Sequence, residues 1–398
     1  MQLTILSHKE TWRDSESPSD FATIGGFPFQ MKAISELFDR TILMVPVRSF
    51  PAPPGLRPMT GHNMSILALD EPAGRDLRRK ISIITWLPVN LSGIWRNVRQ
   101  ADAVHAPIPG DIGTIGLLVA LAQRKPLFVR HCGSWGNTTT LADRFLNWLL
   151  PRIAGGRNVV MATGGGDTPP CPQNTNIQWI FSTTLTQAEY DSIQAADPWQ
   201  AGQPLRLVTA SRLAPSKNTA AILHAFPQIL DKLPNTSLDV LGEGDARGAL
   251  EQSAAELGIG DRVRFHGNVP HEQVIDTLSH SHIFVFPTQV KEGFPKAVLE
   301  AMACGLPVIA SDVSVIPHLI GVQNGCILAD TTPEAVSQAV LNLTSNPRRL
   351  SEMSASARET AGAYTLEAWR DTIGEQLQAA WGPLSEEEHI NEKPYVAA

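Results

Sequence analysis

Two carboxylates bracket a Gly-Phe-Pro in the stretch KEGFPKAVLEAMACGLPVIAS at 291–311: Glu292 stands before it, and Glu300 follows inside an apolar helical pattern. The spacing predicts a helix over 295–303. Pro295 suits its first position, where a missing N–H costs nothing, and Gly305 is the expected left-handed terminator. The backbone of Gly293, Phe294, Pro295 and Lys296 then presents free amides with a partial positive charge, which favours phosphate. A carboxylate only accepts hydrogen bonds, so around a phosphate its natural partners are the hydroxyls of a ribose and of a sugar. Glu300 also reads as a solvent-facing helix residue and Glu292 as a complement to the helix dipole. What favours the ligand reading is TASRLAPSK at 209–217, where Arg212 and Lys217 stand five residues apart in a turn after a strand and can converge on one anion.

Other groups are less specific. His131 lies at the end of a strand-like run in VRHCGSW, where it reads either as a ligand-orienting group or as a satisfied structural histidine. Gly25 and Gly26 precede Pro28 and a helical run, a place where backbone can approach a ligand closely or simply turn. Gly164-Gly-Gly-Asp167 lacks the G-x-G-x-x-G spacing of a dinucleotide site and reads as a loop.

The elements that must position these groups follow one rhythm: a short apolar run, a turn, then an amphipathic stretch. That rhythm argues for parallel sheets covered by helices. Strands are expected at 3–6, 41–45, 65–69, 103–105, 127–130 and 158–161, and again at 205–210, 237–241, 262–265, 283–286 and 307–310. Helices are expected at 28–38, 110–122 and 141–153 in the first half, and at 219–230, 246–257, 272–278 and 295–303 in the second. The Pro- and Gly-containing stretch 197–204 suits a linker. The expected class is therefore α/β, with two doubly wound domains facing across a cleft. They cover 1–197 and 205–365, followed by a helix at 366–382 and a polar tail at 383–398.

A chain of 398 residues, 43% hydrophobic, can bury two such cores. Four scattered cysteines fit neither a zinc pattern nor a disulfide scaffold, and the N-terminus lacks the pattern of a secretory signal, so a cytoplasmic protein is expected. Residues 1–190 hold 18 Lys and Arg against 14 Asp and Glu, and the remainder 14 against 25. The basic excess clusters at Arg75, Arg78, Arg79 and Lys80, with Arg96 and Arg99 beyond, interleaved with Trp86, Leu87, Ile94 and Trp95. That pattern reads as a solvated helix face, or as one suited to the inner, anionic surface of a membrane. The acidic balance of the whole chain disfavours nucleic acid.

SRLAPSKN, LGEGD at 241–245, VRFHGNV at 263–269 and EGFPKAVLEAMACGLPVIASD at 292–312 resemble glycosyltransferase family 4, retaining enzymes of GT-B fold. The resemblance covers roughly 205–345, and the pattern at 366–381 is similar to the family's helix that crosses back onto the N-terminal domain. It implies that Glu300 binds donor ribose hydroxyls, that Glu292 contacts the transferred sugar, and that amides at 293–296 hold the pyrophosphate. Arg212 and Lys217 would neutralise the leaving diphosphate without a metal ion, in keeping with the lack of an Asp-x-Asp motif. The backbone near Val269 would meet the nucleobase, and His271, not being acidic, leans toward a uridine nucleotide. Gly26 would approach the donor phosphate or acceptor, and His131 the donor sugar or acceptor. The long polar segment 7–24 departs from the family pattern. The implied function is retaining transfer from a nucleotide-diphosphate sugar, with no further cofactor, to a glycan or lipid-linked acceptor in cell-surface polysaccharide synthesis. Competing readings are a sugar phosphorylase or epimerase on the same fold, and a non-catalytic nucleotide-sugar-binding relative.

Overall fold

A computed structural model describes residues 1–74, 76–133, 135–136 and 138–386. Arg75, the side chain of Lys80 and residues 387–398 of the expected tail lie outside the described residues. The chain divides into two compact units, one of 1–163, 168–180 and 370–398, the other of 164–167 and 181–369.

The first unit contains strands β1 (Gln2–Leu6), β2 (Trp12–Arg13), β3 (Phe21–Thr23), β4 (Arg40–Pro46), β5 (Arg57–Pro58), β6 (Met64–Leu69), β7 (Ala103–Ile108), β8 (Leu127–His131), β9 (Asn158–Thr163) and β10 (Ile177–Ile180). Its helices are α1 (Phe27–Ser35), α2 (Asp76–Gln100), α3 (Asp111–Ala122) and α4 (Leu141–Ile153). Seven strands form one parallel sheet in the order β10-β9-β8-β7-β1-β4-β6. The polar segment after β1 contributes β2 and β3, which join β5 in a small antiparallel sheet that periodicity did not reveal because two of its strands are only two residues long.

The second unit opens with α5 (Gln187–Ser192) and continues with strands β11 (Arg206–Ala210), β12 (Ser237–Leu241), β13 (Val263–Gly267), β14 (Ile283–Phe286), β15 (Val308–Ser311) and β16 (Gly325–Leu328). Helices α6 (Thr219–Lys232), α7 (Arg247–Glu256), α8 (His271–Ser279), α9 (Lys296–Ala303), α10 (Ile316–Leu319), α11 (Pro333–Thr344) and α12 (Pro347–Gly362) cover the sheet. The strands are parallel in the order β13-β12-β11-β14-β15-β16, the doubly wound order in which the direction of winding reverses between β11 and β14. Central strands such as IFVF and VIAS are buried throughout, as a sheet covered on both faces requires. Only the last helix, α13 (Leu366–Trp381), has its residues divided between the two units.

The expected linker at 197–204 is not where the chain passes between units. Leu185, Ile193 and Ala196 are buried in one core cluster of the second unit and Trp199 in another, so 181–204 belongs to that unit despite its prolines and glycines.

The turn after β12 holds the turn after β11 by main-chain contact. Leu213 N–H donates to Glu243 O at 2.8 Å and Ser211 N–H to Leu241 O at 3.1 Å. Gly242 adopts φ +121°, and a Cβ there would lie 2.0 Å from the Ser211 carbonyl oxygen. Only glycine satisfies both demands. Gly242→Ala should therefore destabilise the protein by at least ~1–3 kcal/mol, the range for a strained backbone residue. Denaturant melts check this, and an unchanged midpoint would contradict the close approach.

Candidate functional site

Neighbouring strands β11 and β14 lead into loops on either side of the winding reversal, the place where such sheets bind ligands beyond their carboxyl ends. Arg212, Lys217, Glu292 and the Gly293–Phe294 amides lie in these loops, and Glu300 in the helix that follows the second. Arg212 follows β11, is exposed, and has no ion-pair partner among the described residues. Lys217 ends a short 3-10 turn, Pro215–Lys217, and its ammonium pairs with the Glu292 carboxylate across the two loops. The pair is mostly sheltered, with side chains 14% and 17% exposed. Thr288 Oγ1 donates to the same Glu292 oxygen at 3.3 Å, Ser314 Oγ donates to the Glu292 carbonyl at 2.7 Å, and Gln289 N–H reaches Ser216 O at 2.9 Å. Thr288 and Ser314 were not singled out in the sequence, because a lone hydroxyl residue carries no spacing signal.

Helix α9 starts one residue later than expected. Pro295 has a non-helical backbone (φ −82°, ψ 90°) and is the cap, its carbonyl accepting from Val298 and Leu299 at 3.1 and 3.2 Å. Having no N–H, Pro295 adds none to the amides of this loop. The amides of Gly293 and Phe294 have no partner among the described residues. Lys296 is the first helical residue, and Gly305 ends the helix at φ +76°.

Glu300 lies just past the first turn of α9, on a side facing α8. Its carboxylate is 3.9 Å from His271 Nδ1, and His271 Nε2 lies 2.5 Å from Glu189 Oε1. Burial pushes the Glu300 carboxyl above the usual carboxylate range; His271 opposes this, Glu189 adds to it and Lys296 opposes it. Glu189 escaped the sequence reading. Its visible signal was a helix start, Thr186 accepting from the Glu189 amide at 3.1 Å, which gave no hint of the long-range contact. Val269 packs against the core beside Pro270, the cap of α8, and His271 is that helix's first residue.

Two other predicted residues belong to the first unit, described by itself. His131 ends β8 and is 5% exposed, with Nδ1 3.0 Å from Gly133 O and its ring edge-on to Trp135. Burial lowers its pKa, favouring neutral imidazole. Gly26 caps α1 with an ordinary right-handed backbone; Gly25, at φ +80°, is the one whose conformation favours glycine. Pro28 occupies the second helical position, not the first. The winding reversal of this unit, between β1 and β7, instead holds His8 against Gly110, where a Cβ would lie 2.0 Å from His8 Nδ1. The sequence reading missed this contact, which joins residues about a hundred positions apart.

The family described as "Glycosyl transferases group 1" matches residues 194–360. Among curated relatives, the GDP-mannose-dependent alpha-(1-6)-phosphatidylinositol monomannoside mannosyltransferase of Mycolicibacterium smegmatis is 29% identical over 171 residues. That match covers 41% of this chain and 44% of the relative, less than half its length. The GDP-mannose-dependent alpha-(1-6)-phosphatidylinositol dimannoside mannosyltransferase of Mycobacterium tuberculosis is 25% identical over 327 residues, 73% of this chain and 81% of that protein. Among solved structures, Anabaena Alr3699/HepE in complex with UDP has a TM-score of 0.70 at 16% identity, covering 95% of this chain and 100% of that one. The fold is GT-B.

A carboxyl whose folded pKa is raised favours folding most below its unfolded pKa, and that contribution is lost as pH rises through the folded value. Glu300→Gln should therefore melt at a higher temperature than the parent at pH 7–8, with the difference shrinking toward pH 4. Thermal melts across this range test it, and a variant less stable at pH 8 would contradict the burial argument.

Proposed function

We propose that this protein is a retaining glycosyltransferase that moves a sugar from a nucleotide-diphosphate donor to a lipid-linked glycan acceptor in cell-surface polysaccharide or glycolipid synthesis, without a metal ion. The observation that carries this reading is the placement of Arg212, the Lys217–Glu292 pair and the Gly293 and Phe294 amides in the two loops flanking the second unit's winding reversal. A diphosphate bound there meets fixed positive charge where its own charge develops, which is where most of the rate of such a transfer originates. As the anomeric carbon–oxygen bond breaks, Arg212 and Lys217 take up the growing charge on the diphosphate. The acceptor oxygen forms its bond to the anomeric carbon from the same face, and its proton passes to the departing phosphate oxygen. Glu292 holds Lys217 in place and reaches the sugar hydroxyls, while Glu300 receives the ribose hydroxyls. His131 and Gly26 serve the acceptor side. Val269 and His271 border the base.

His271 favours a UDP-sugar, since uracil needs no carboxylate there. A second reading, GDP-mannose, is favoured by Glu189, which places a carboxylate on His271 that can accept from guanine N–H groups, and by the relatives' names. The same names, with their phosphatidylinositol mannosides, favour a glycolipid acceptor.

Among the described residues no helix is long and apolar enough to cross a membrane. The first unit nevertheless exposes large apolar side chains on α2 (Ile81, Ile84, Val89, Trp95) and α4 (Leu141, Phe145, Trp148), with Arg78, Arg96, Arg99 and Arg144 exposed among them. Both helices pack on one core cluster through Trp86, Ile94, Leu146 and Leu150, so they cover the same sheet face. Apolar groups among arginines suit peripheral contact with an anionic membrane at its cytoplasmic face.

Calorimetric titration with UDP, GDP and ADP in EDTA tests the donor site. One nucleotide should bind at micromolar concentration, and Arg212→Ala and Lys217→Ala should each cost about 2.7–4 kcal/mol in transition-state stabilisation, read as kcat with the matching sugar nucleotide. No binding of any nucleotide would sink the transferase reading. In vesicle flotation the protein should float with phosphatidylserine vesicles at low salt and not with phosphatidylcholine. Trp95→Ser with Trp148→Ser should abolish this, and equal behaviour of parent and variant would refute the surface.

A further inference from the structure

Apart from the four-residue excursion at 164–167, the chain passes between the two units at Ile180/Phe181 and again at Trp369/Arg370. Within the second unit the segments beside these crossings run together: Leu366 N–H donates to Leu185 O at 2.7 Å, and Gln187 N–H to Glu367 Oε2 at 2.7 Å. Each segment also brings an aromatic ring onto the phosphate loop. Phe181 and Tyr364 lie with ring centroids 5.9 and 5.6 Å from Phe294 and 5.0 Å from each other. Phe294 is the residue between Gly293 and the capping Pro295, so the loop proposed to hold the diphosphate rests on both crossings at once.

The opposite end of α9 is tied to the same incoming segment by different chemistry. Arg358 donates to the Ala303 carbonyl at 2.5 Å and to the Tyr190 carbonyl at 3.2 Å, and the Tyr190 hydroxyl donates to Arg358 O at 3.0 Å. Between these ends, Glu189 holds the imidazole that faces Glu300. Residues 181–190 thus touch α9 or its immediate partners at its start, its middle and its end. Packed rings and charge-assisted hydrogen bonds transmit displacement because neither can deform smoothly.

We propose that residues 181–190 form a strap that positions the phosphate loop and α9, and that a nucleotide bound there stiffens the chain at both crossings between the units. Phe181, Glu189 and Tyr364 are positioning residues, acting through Phe294 and His271. The inference rests on the donor site proposed above, and the test separates the two. Hydrogen exchange is followed by mass spectrometry on the full chain, alone and with UDP or GDP. Without nucleotide, Phe294→Leu should speed exchange at 181–190 and 364–369 several-fold, and Phe294→Tyr, which keeps the ring, should not. With the nucleotide that binds, the parent should be protected at both crossings as well as at 292–300, and Phe294→Leu should lose the protection at the crossings. Phe181→Leu and Phe294→Leu should each weaken nucleotide binding several-fold and combine less than additively, since each removes the same contact. Unchanged exchange at the crossings in nucleotide-free Phe294→Leu overturns the strap whether or not a nucleotide binds. Binding whose protection stays within 292–300 overturns the coupling alone. If the parent binds no nucleotide, the donor reading falls and the coupling to it falls as well.

Discussion

The ion pair between Lys217 and Glu292 joins the loop after β11 to the loop after β14, and these loops flank the point where the sheet reverses its winding. A sheltered ammonium beside a carboxylate is less costly than either charge alone, so the pair holds both loops over the same strand ends. It also sets the electrostatics of the place. Lys217 is partly neutralised by Glu292, while Arg212 has no ion-pair partner among the described residues; a diphosphate bound as proposed would share a lysine that Glu292 already orients. The surrounding contacts serve this arrangement: Thr288 and Ser314 fix Glu292, and the Leu241 and Glu243 carbonyls hold the Arg212 turn, which Gly242 allows to come close.

Glu300 illustrates a different compromise. A carboxylate pressed into a helix face gains nothing for folding at neutral pH, and its burial is offset only in part by His271 and Lys296. The Glu189–His271 contact belongs to the same account, since it brings a second carboxylate to the imidazole that faces Glu300.

The first unit repeats the winding scheme with different contents. Its reversal point brings His8 against Gly110 in place of an arginine–lysine pair, and its covering helices leave Ile84, Trp95 and Trp148 facing solvent. A basic, aromatic-bearing first unit and an acidic second one account for the charge asymmetry of the chain.

Much of this was legible in one dimension. Apolar runs of four or five residues, separated by amphipathic stretches, determined the two parallel sheets, because strands buried on both faces and helices buried on one leave those periods in any sequence. The E-x7-E spacing, Pro295, Gly305 and the Arg212–Lys217 turn were local features, and local stereochemistry made them readable. What only the tertiary structure decided was which distant groups meet. The pairing of Lys217 with Glu292, the reach of Glu189 to His271, the three rings of Phe181, Phe294 and Tyr364, and the burial of Trp199 in what reads as a linker all join residues dozens to hundreds of positions apart. Hydrophobic burial and main-chain pairing bring such residues together without leaving a period or a spacing in the chain, so the sequence named the chemistry and the fold assigned the partners.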